Sequence, residues 1–468
     1  MYFFGGTIIL YIIYEELFKE SSPQLYLIDT YPKSNSSSRI FSSIHSKKYL
    51  NMQAEDTSNR TVHFYKVFCD ERGIYVENLQ LSKFVGFIAL LDTAEKYVLS
   101  HYTCIYYYDV NGVEIIEHAS PLTMVKLSTR QRLFRVQYVI CPLKDDSSAC
   151  PYAASLIHKG KNIDSEHLVM QVEKHVRVEQ MHTVGFCVSP LYNSPGFSPT
   201  FERIVEWMEY HIALGVTHFH MYLPERSTSA YPQQNIHDLL MMYKKLGIVS
   251  IEISPQTKDF SLLPYEQMRF AQQLVMNGCM IQYAFKYKFI FVHDIDELFI
   301  LRRRTQTLHN LNYPTGNFSN CVTMYVHFPV NCELVKKKSS FLWNRKNEIV
   351  ESIYLYNYRR GYMVPDYPKS IFNPRNCITT NAHVCFAVAH KNVKIRRLQH
   401  TVAVLAHFRN SVVQRQSNTT NKGCRLINYM QNKYGFNTRY LVDLNTTSAG
   451  FLQEEILPKI INTIQSKP

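Results

Sequence analysis

The chain of 468 residues is long enough for about two or three domains. Hydrophobic residues make up 46% of it and charged residues 19%, a composition that excludes a largely disordered protein. The formal charge of +13 and a pI of about 9.1 allow nucleic acid, anionic lipid or phosphorylated ligands as partners. The basic runs Arg302–Arg304 and Lys336–Lys338 are short, and no zinc-finger, RNA-recognition or helix-turn-helix pattern accompanies them. We therefore expect a basic solvated surface and no nucleic-acid partner.

The 11 cysteines include no Cys-x-x-Cys pair, so the sequence does not predict a zinc cluster. Because their number is odd, at least one thiol must stay free or pair with another chain. Asn-x-Ser/Thr sequons are typical of the secretory route, where disulfides also form. The sequons are at Asn35, Asn59, Asn317, Asn418 and Asn445.

The chain begins with an apolar segment that is followed by a polar one. Tyr2–Tyr14 carries no charge, and Glu15 and Glu16 follow directly. This segment is shorter than the roughly 20 residues of a spanning helix, and it lacks the basic start and cleavage site of a signal peptide. We predict a signal anchor in residues 1–20, with a buried core segment as the alternative. Residues 21–59 are rich in Ser, Lys, Asn and Pro and predict a flexible stem.

Residues 60–150 contain short β-branched and aromatic runs, which predict an antiparallel β-rich lobe. The runs are Val62–Phe68, Phe84–Leu91, Tyr97–Tyr108, Val113–Ile116 and Phe134–Cys141. Asn111 and Gly112 lie between two of these runs and predict a tight hairpin. Nothing in this lobe suggests catalysis. For the connection that continues to about residue 180, the sequence indicates no particular structure.

From residue 183 onward strands and helices alternate, which predicts a parallel sheet with helices on both faces. The expected strands are Val184–Ser189, Val216–Leu223, Ile248–Ile253 and Phe289–Val292, and the expected helices are Phe201–Leu214, Ile236–Leu246 and Leu263–Tyr287. Gly215 and Gly247 end the first two helices, and Gly278 is a candidate break in the third. A later strand, Val402–Arg409, should deliver a histidine and an arginine at its end, and a helical tail should follow from Ser411.

Three carboxylates follow the strand Phe289–Val292 directly. Asp294, Asp296 and Glu297 occupy four positions, so they repel one another and need a compensating cation if the site is dry. Hard cations such as Mg²⁺ and Mn²⁺ prefer oxygen ligands and keep positions open for phosphate oxygens. The carboxyl ends of strands in open α/β sheets are also where ligands bind. We therefore predict a metal–phosphate site here, with a solvated turn as the alternative.

The order of these segments resembles that of glycosyltransferase family 92, over roughly residues 183 to 409. The matching segments are Cys187–Tyr192, Glu206–His218, Tyr243–Val249, Asp294–Glu297, Lys369 with Ser370, His383 and His407–Arg409. Phe408 departs from the pattern, which has Tyr at that place.

The resemblance implies an α/β domain over residues 181–440, with a GT-A-like doubly wound, mostly parallel sheet, and a tail over 441–468. It also implies a single-pass membrane protein of the Golgi with a luminal catalytic domain. The expected reaction transfers a hexose, with galactose expected, from a nucleotide sugar such as UDP-galactose to a glycan acceptor.

Such a reaction needs the charge on the leaving diphosphate to be neutralised, which a metal bridging both phosphates achieves. We expect Asp296 to bind Mn²⁺ or Mg²⁺ directly, and Asp294 to reach the metal or the donor ribose. Glu297 is expected to orient the loop from behind these ligands. His407 is expected to complete the metal site, as a C-terminal histidine does in GT-A enzymes; a merely hydrogen-bonded histidine is the alternative.

Arg409 is expected to bind phosphate oxygens through two hydrogen bonds. Lys369 is a candidate contact to phosphate or acceptor, and His383 is a weaker one. An inverting transfer also needs a carboxylate base to accept the acceptor hydroxyl proton. The candidates for this base are Asp366, Glu351 and Glu348. We prefer Asp366, although the sequence does not choose among them.

Two other functions compete with glycosyl transfer. A haloacid-dehalogenase-type phosphatase also has a strand followed by Asp-x-Asp, but that site opens its domain and has Thr or Val where Leu298 stands here. A catalytically silent carbohydrate-binding protein could share the fold. The intact pair of Asp294 and Asp296 argues against it.

Overall fold

The computed structural model describes residues 62–76, 78–92, 102–121, 123–126, 134–144, 149–158, 169–191, 201–224, 226, 231–254, 264–301, 307–311, 317–327, 360–381, 383–399, 401–407 and 441–443. The predicted anchor, stem and four of the five sequons lie outside these residues. Asn317 is described and is exposed. No helix in the described part of the chain is long and apolar enough to cross a membrane.

The first ten strands precede every described helix. They are β1 (Val62–Asp70), β2 (Ile74–Val76), β3 (Leu79–Leu81), β4 (Phe84–Asp92), β5 (Tyr102–Val110), β6 (Val113–Ala119), β7 (Thr123–Lys126), β8 (Phe134–Pro142), β9 (Ala153–His158) and β10 (Met170–Glu173).

An alternation of strands and helices follows. It consists of β11 (Arg177–Cys187), α1 (Phe201–Ala213), β12 (His218–Leu223), α2 (Gln234–Lys245), β13 (Val249–Ile253), α3 (Pro264–Gln282) and β14 (Phe285–Phe291). The remaining strands are β15 (Glu297–Leu301), β16 (Phe318–His327), β17 (Arg360–Phe372), β18 (Cys377–Thr380), β19 (Cys385–Val388), β20 (Lys394–Arg397), β21 (Ala403–His407) and β22 (Leu441–Asp443).

The N-terminal lobe is an eight-stranded sheet in the order β6-β5-β9-β10-β1-β4-β8-β7. Its two halves fold back on each other, because the disulfide Cys104–Cys141 joins β5 to β8, which are far apart in that order. The hydroxyl of Tyr106 also donates a hydrogen bond to the carbonyl of Pro142 at 2.9 Å. The residues between the halves, among them Phe64 and Phe87, are buried. This arrangement gives the lobe a core of its own.

The predicted hairpin at Asn111 and Gly112 is confirmed. Their φ angles are 56° and 79°, both in the left-handed region that a two-residue type I′ turn requires. The Asp109 carboxylate accepts a hydrogen bond from the Gly112 amide at 2.8 Å and fixes the turn. Strands β5 and β6 therefore pair in a continuous antiparallel register from Val110 opposite Val113 to Cys104 opposite Ala119.

The lobe extends beyond the predicted boundary at residue 150. Strands β9 and β10 follow that boundary and yet lie in the middle of the eight-stranded sheet. A second disulfide, Cys69–Cys150, ties the residues before β9 to β1. The sequence signal was weak here because both strands are short and have little alternation of polar and apolar residues.

The α/β part is built on a ten-stranded sheet with the path β13-β12-β11-β14-β17-β16-β21-β15, with β20 and β22 paired to β16 and β17. The pairs among β13, β12, β11 and β14 are parallel. From β14 onward antiparallel pairs predominate on the path, so the expectation of a mostly parallel sheet holds for half of it and is wrong for the rest. The sheet is mixed because no described helix connects the later strands, and antiparallel pairs need no crossover helix.

Helices cover both faces of this sheet, as predicted. Val184 and Phe186 of β11 pack into the core formed with α1 and α2. Cys187, the next residue on the opposite face, packs with α3 and forms a disulfide with Cys279 of that helix. This alternation is the two-residue period of a strand buried on both sides.

The third helix is not broken at Gly278, in contrast to the expectation, and it ends at Gln282 instead of reaching Tyr287. A Cβ atom at Gly278 would lie 3.0 Å from the ring of Tyr65. The glycine thus permits close packing of α3 against β1 of the lobe, whereas the sequence suggested a helix break. Residues from Phe285 form β14, which pairs with β11.

The C-terminal part also differs from the expectation. The sequence predicted a helical tail from Ser411, but residues 441–443 form the strand β22, which pairs antiparallel with β17. Residues 408–440 lie outside the described part of the chain. Pairing with β17 supplies the backbone hydrogen bonds of this short apolar segment, which local sequence does not reveal.

A buried arginine joins the lobe to the α/β part. Arg72 forms an ion pair with Asp70 at 2.6 Å, and both side chains are fully buried. Its guanidinium also donates to the carbonyls of Pro374, Cys377 and Ile378. Burial by itself raises the pKa of Asp70, but the charge and hydrogen bonds of Arg72 outweigh it and hold that pKa well below its usual value.

The same junction contains a small sheet in the order β18-β19-β2-β3, which combines strands of both parts. Its strands β18 and β19 are linked by the disulfide Cys377–Cys385. Arg72 therefore connects the end of β1 to a segment that is braced by covalent bonds and a sheet.

We predict that Arg72→Met lowers the free energy of unfolding by about 3–5 kcal/mol, because Asp70 would remain buried without its cation. Urea denaturation of the full chain measures the change. Arg396→Ala is the control, since Arg396 is exposed on β20, and it should stay within about 0.5 kcal/mol of the wild type. Equal effects of the two substitutions would contradict this account of the junction.

Candidate functional site

The three carboxylates lie in the turn that follows β14. The apolar residues Ile290, Phe291 and Val292 are fully buried, and the chain then turns sharply into β15. One carboxylate oxygen from each of Asp294, Asp296 and Glu297 lies within 4.8 Å of the others. Asp294 and Asp296 are partly exposed, whereas Glu297 is buried. The cluster is therefore open to a ligand on the side of the two aspartates.

Backbone hydrogen bonds set the shape of this turn. The Glu297 amide donates to the Asp294 carbonyl at 3.0 Å. The Glu297 side chain in turn accepts from the Asp294 amide at 3.0 Å. These two bonds close the turn and leave Asp296 at its tip.

Lys369, on β17, is the cation nearest to this cluster among the pairs that the structure describes. Its ammonium group lies 2.9 Å from Asp294 Oδ2 and 3.2 Å from Glu297 Oε2, and its side chain is only 5% exposed. Burial by itself lowers the pKa of Lys369, but the two carboxylates outweigh this and raise it above the usual value. Lys369 is therefore charged at every physiological pH.

Asp294 is held by further donors on two other elements. Its Oδ1 accepts a hydrogen bond from the Ser189 hydroxyl at 2.9 Å and one from the Gln272 side-chain amide at 3.3 Å. Gln272 also donates to Ser189 at 2.8 Å. With Lys369 on Oδ2, both oxygens of Asp294 are oriented by the protein.

Ser189 and Gln272 were not predicted as site residues. Ser189 ends the strand that the sequence predicted from Val184, so its place at a carboxyl end was an available signal. Gln272 lies seven positions before Cys279 on α3, which is about two helical turns, so both project from similar faces of the helix. The disulfide Cys187–Cys279 fixes that face against the end of β11.

Helix α1 anchors the strand that begins at Glu297. The indole of Trp207 donates to the Glu297 carbonyl at 2.9 Å, and the hydroxyl of Tyr210 donates to the Phe299 carbonyl at 3.0 Å. Both side chains are buried. The first residue of β15 is thus fixed through its backbone while its carboxylate faces Lys369.

Two buried histidines lie beneath the site. His293 is fully buried among the rings of Phe186, Phe291 and Phe299. Burial lowers its pKa far below the usual value, and it lowers the pKa of His211 to about 3. Both imidazoles are neutral at physiological pH, so they do not compete with Lys369 as counter-charges.

The backbone of His407 lies beside the acidic cluster. Strand β21 ends at His407, which is paired with Glu297 across the antiparallel contact of β15 and β21. The expected strand Val402–Arg409 is thus present as Ala403–His407, and it brings the histidine to the site. Arg409 lies outside the described residues.

The other predicted site residues are placed as follows. The Ser370 hydroxyl donates to the His383 carbonyl, so the backbone of His383 lies next to the segment that holds Lys369. Asp366 lies in β17 where the register with β16 is interrupted, between the pair Tyr325–Val364 and the pair Thr323–Lys369. Such irregularities are common next to active sites because they redirect side chains. Glu348 and Glu351 lie outside the described residues.

The donor set fits a hard divalent cation. Three carboxylates and one ammonium leave an excess of negative charge among these four residues. Mg²⁺ and Mn²⁺ prefer carboxylate oxygens, and Mg²⁺ in particular is bound through one or two of them together with substrate phosphates. Asp296 and Asp294 are the partly exposed members and could hold the ion, while Glu297 is buried behind them.

A comparison with protein-family models decides the family. The model described as glycosyltransferase family 92 matches residues 182–446, which is more than half of the chain. The chain belongs to glycosyltransferase family 92. As a member of this family it is a glycosyltransferase, and the family implies a nucleotide-sugar donor and a glycan acceptor. The match contains every candidate site residue described above, and it favours glycosyl transfer over phosphatase chemistry.

Other comparisons add nothing to this assignment. No curated protein matches the chain. A ferredoxin-NADP⁺ reductase from Plasmodium falciparum (H286K mutant with 2'P-AMP) has 10% identity and a TM-score of 0.14, and the match covers 52% of this chain and 89% of that one. The FAD/NAD-binding domain of a nitric oxide dioxygenase from Vibrio cholerae has 10% identity and a TM-score of 0.12, with 49% and 98% covered. TM-scores this low do not indicate a shared fold with this family 92 member.

We predict that Lys369→Met lowers the free energy of unfolding by about 3–5 kcal/mol, because two carboxylates lose their buried cation. Adding Glu297→Gln should recover about 1–3 kcal/mol, since the buried negative charge is then removed as well. Denaturation of the single and double variants measures this coupling.

The control for this coupling combines Lys369→Met with Asp238→Asn, a substitution at an exposed residue of α2. That pair should be additive within about 0.5 kcal/mol. A Glu297→Gln substitution that fails to recover stability would show that Lys369 does not act as the counter-charge of Glu297.

Proposed function

We propose that this family 92 member is a metal-dependent, inverting hexosyltransferase with a GT-A-like catalytic domain. The donor would be a nucleotide sugar such as UDP-galactose, with galactose as the transferred hexose, and the acceptor a glycan in the secretory pathway. Mn²⁺ or Mg²⁺ would be the cofactor. The observation that carries the proposal is the cluster of Asp294, Asp296 and Glu297 at the end of β14, with Lys369 beside it.

The arrangement gives each residue a distinct part in donor binding. Asp296, at the tip of the turn, would hold the metal directly. Asp294 is already oriented by Ser189, Gln272 and Lys369 and would accept a hydrogen bond from the donor ribose or from metal-bound water. The buried Glu297 closes the turn and pairs with Lys369, so it would keep Asp294 in place without contacting the donor.

When bound, the metal would neutralise the charge that develops on the leaving diphosphate. Arg409 would add two hydrogen bonds to phosphate oxygens, and His407 would complete the metal site from the end of β21. Because Lys369 is buried between two carboxylates, a direct phosphate contact requires its ammonium group to move from them. Asp366 remains our candidate for the base that accepts the acceptor proton, and His383 for an acceptor contact.

A donor-hydrolysis screen tests the proposal as a whole. The purified protein is incubated with Mn²⁺ or with a chelator and with a panel of nucleotide sugars, and release of the nucleotide is measured. We expect hydrolysis of one UDP-hexose that depends on the metal. Binding of a UDP-sugar without turnover would instead support a catalytically silent carbohydrate-binding protein.

We predict that Asp296→Asn lowers sugar transfer by about a hundredfold or more. In the absence of metal its melting temperature should be unchanged or higher, because one of three repelling charges is removed. Transfer, Mn²⁺ binding and melting are measured on the same variant, and Asp238→Asn on the exposed face of α2 is the control. Near-normal transfer by Asp296→Asn would exclude a metal-ligand role.

A second substitution, His407→Ala, should weaken Mn²⁺ binding by about tenfold or more if His407 completes the metal site. The melting temperature in excess metal should change little. Calorimetric titration with Mn²⁺ and a thermal melt distinguish the two roles. A variant that unfolds readily but binds Mn²⁺ normally would show that the histidine is structural.

We also propose a Golgi membrane protein anchored through residues 1–20, with the stem and catalytic domain on the luminal side. The apolar start and the sequons support this topology. Among the described residues, Asn317 is the asparagine of a sequon. Its side chain is exposed just before β16 and would accept a glycan. Endoglycosidase treatment of protein from a eukaryotic host should increase its mobility, and an unshifted cytosolic protein would refute the topology.

A further inference from the structure

The β5–β6 hairpin of the lobe presents an exposed apolar edge. Strand β6 stands at one end of the strand order in the eight-stranded sheet. Four large hydrophobic residues of this hairpin are well exposed: Val110 (46%), Val113 (62%), Ile115 (40%) and Ile116 (41%). Strand β6 also contains neither Lys nor Pro, the residues that commonly protect sheet edges from pairing.

The turn determines which backbone groups of β6 face outward. In a two-residue hairpin the residues that flank the turn, Val110 and Val113, exchange both of their backbone hydrogen bonds. Hydrogen-bonded and non-hydrogen-bonded pairs then alternate along the strand. Ile115 and Glu117 therefore bond to β5, and the residues that alternate with them do not. The amide and carbonyl groups of Glu114, Ile116 and His118 therefore point away from the sheet, which is the pattern that an added strand requires.

This edge is complementary to itself. If two copies pair antiparallel about an axis at Ile116, the outward groups of all three residues meet outward groups of the partner copy. Ile116 then lies opposite its own counterpart, and Glu114 lies opposite His118 on both sides of the axis. An axis at Ile115 would place Glu114 opposite Ile116 and His118 opposite Gly112, so the hydrogen bond that the His118 imidazole can donate to the Glu114 carboxylate would be lost.

We propose that β6 is the interface of a homodimer, in which two lobes join their sheets edge to edge with Ile116 on the two-fold axis. The proposal does not depend on the catalytic assignment, because the lobe carries none of the candidate site residues. A contact of a single strand pair is small and fits a weak association. A covalent trap at the axis is therefore the appropriate measurement.

The test uses the full chain with Ile116→Cys under mild oxidation. Opposite residues of a hydrogen-bonded antiparallel pair have Cα atoms about 5.5 Å apart, within the range that a disulfide spans. We expect a disulfide-linked dimer on a non-reducing gel. Val113→Cys is the matched control: it is more exposed than Ile116 but would lie about 20 Å from its counterpart, six residues along the strand. It should not cross-link.

A charge exchange provides the second measurement. His118→Glu alone places like charges opposite each other, and Glu114→Arg alone removes the carboxylate that faces the His118 imidazole and that accepts a hydrogen bond from the Tyr152 hydroxyl of its own lobe. Each should raise the dimer Kd by about threefold or more. The double variant should restore association, which a merely structural role of either residue would not produce. Sedimentation over a concentration series gives the Kd values.

Three results would overturn the proposal. One is a wild-type chain that remains monomeric, together with an Ile116→Cys variant that does not cross-link. Another is cross-linking through Val113→Cys that equals that through Ile116→Cys, because it would indicate random collision. The third is a dimer whose Kd is insensitive to both single charge substitutions, which would place the interface elsewhere.

Discussion

The site depends on the ion pairs that the buried ammonium group of Lys369 forms with Asp294 and Glu297. Asp294 and Glu297 lie at the end of a buried strand, where unpaired carboxylates would cost several kcal/mol in desolvation. Lys369 compensates both from β17, at 2.9 and 3.2 Å. Its own burial is tolerated for the same reason. These two ion pairs hold the turn after β14 in one shape, while Asp296 is partly exposed and accessible to a ligand.

Several elements converge to place this turn. Helix α1 fixes the start of β15 through Trp207, and α3 contributes Gln272 to Asp294. The disulfide Cys187–Cys279 prevents α3 from sliding along the end of β11. Strand directions place the other site residues at the carboxyl end of β14. Strand β21 runs in the same direction as β14, so its last residue, His407, lies at that end of the sheet, and the antiparallel neighbour β17 places Lys369 beside the turn that follows β14.

The lobe contributes stability and a surface, with no described site residue of its own. Arg72 links it to the segment 374–378, which lies a few residues beyond Lys369 in the chain. Packing of α3 between the lobe and the main sheet buries Leu274 and Ile281 on one side and Met276 and Met280 on the other. The position of Gln272 therefore rests on both parts of the protein. The exposed edge of β6 lies in the lobe as well, so association through it would leave this packing intact.

Several features of this protein follow from local sequence patterns alone. The hairpin at Asn111 and Gly112, the helices ended by Gly215 and Gly247, and the carboxylates after a buried strand follow from backbone conformation and periodicity, which neighbouring residues specify. The folded structure was needed to show that Lys369 neutralises two of these carboxylates and that Ser189 and Gln272 orient Asp294. The same holds for Gly278, which permits close packing against Tyr65 instead of breaking a helix. Those contacts join residues far apart in the chain, and strand order and burial, which local pattern does not encode, bring them together.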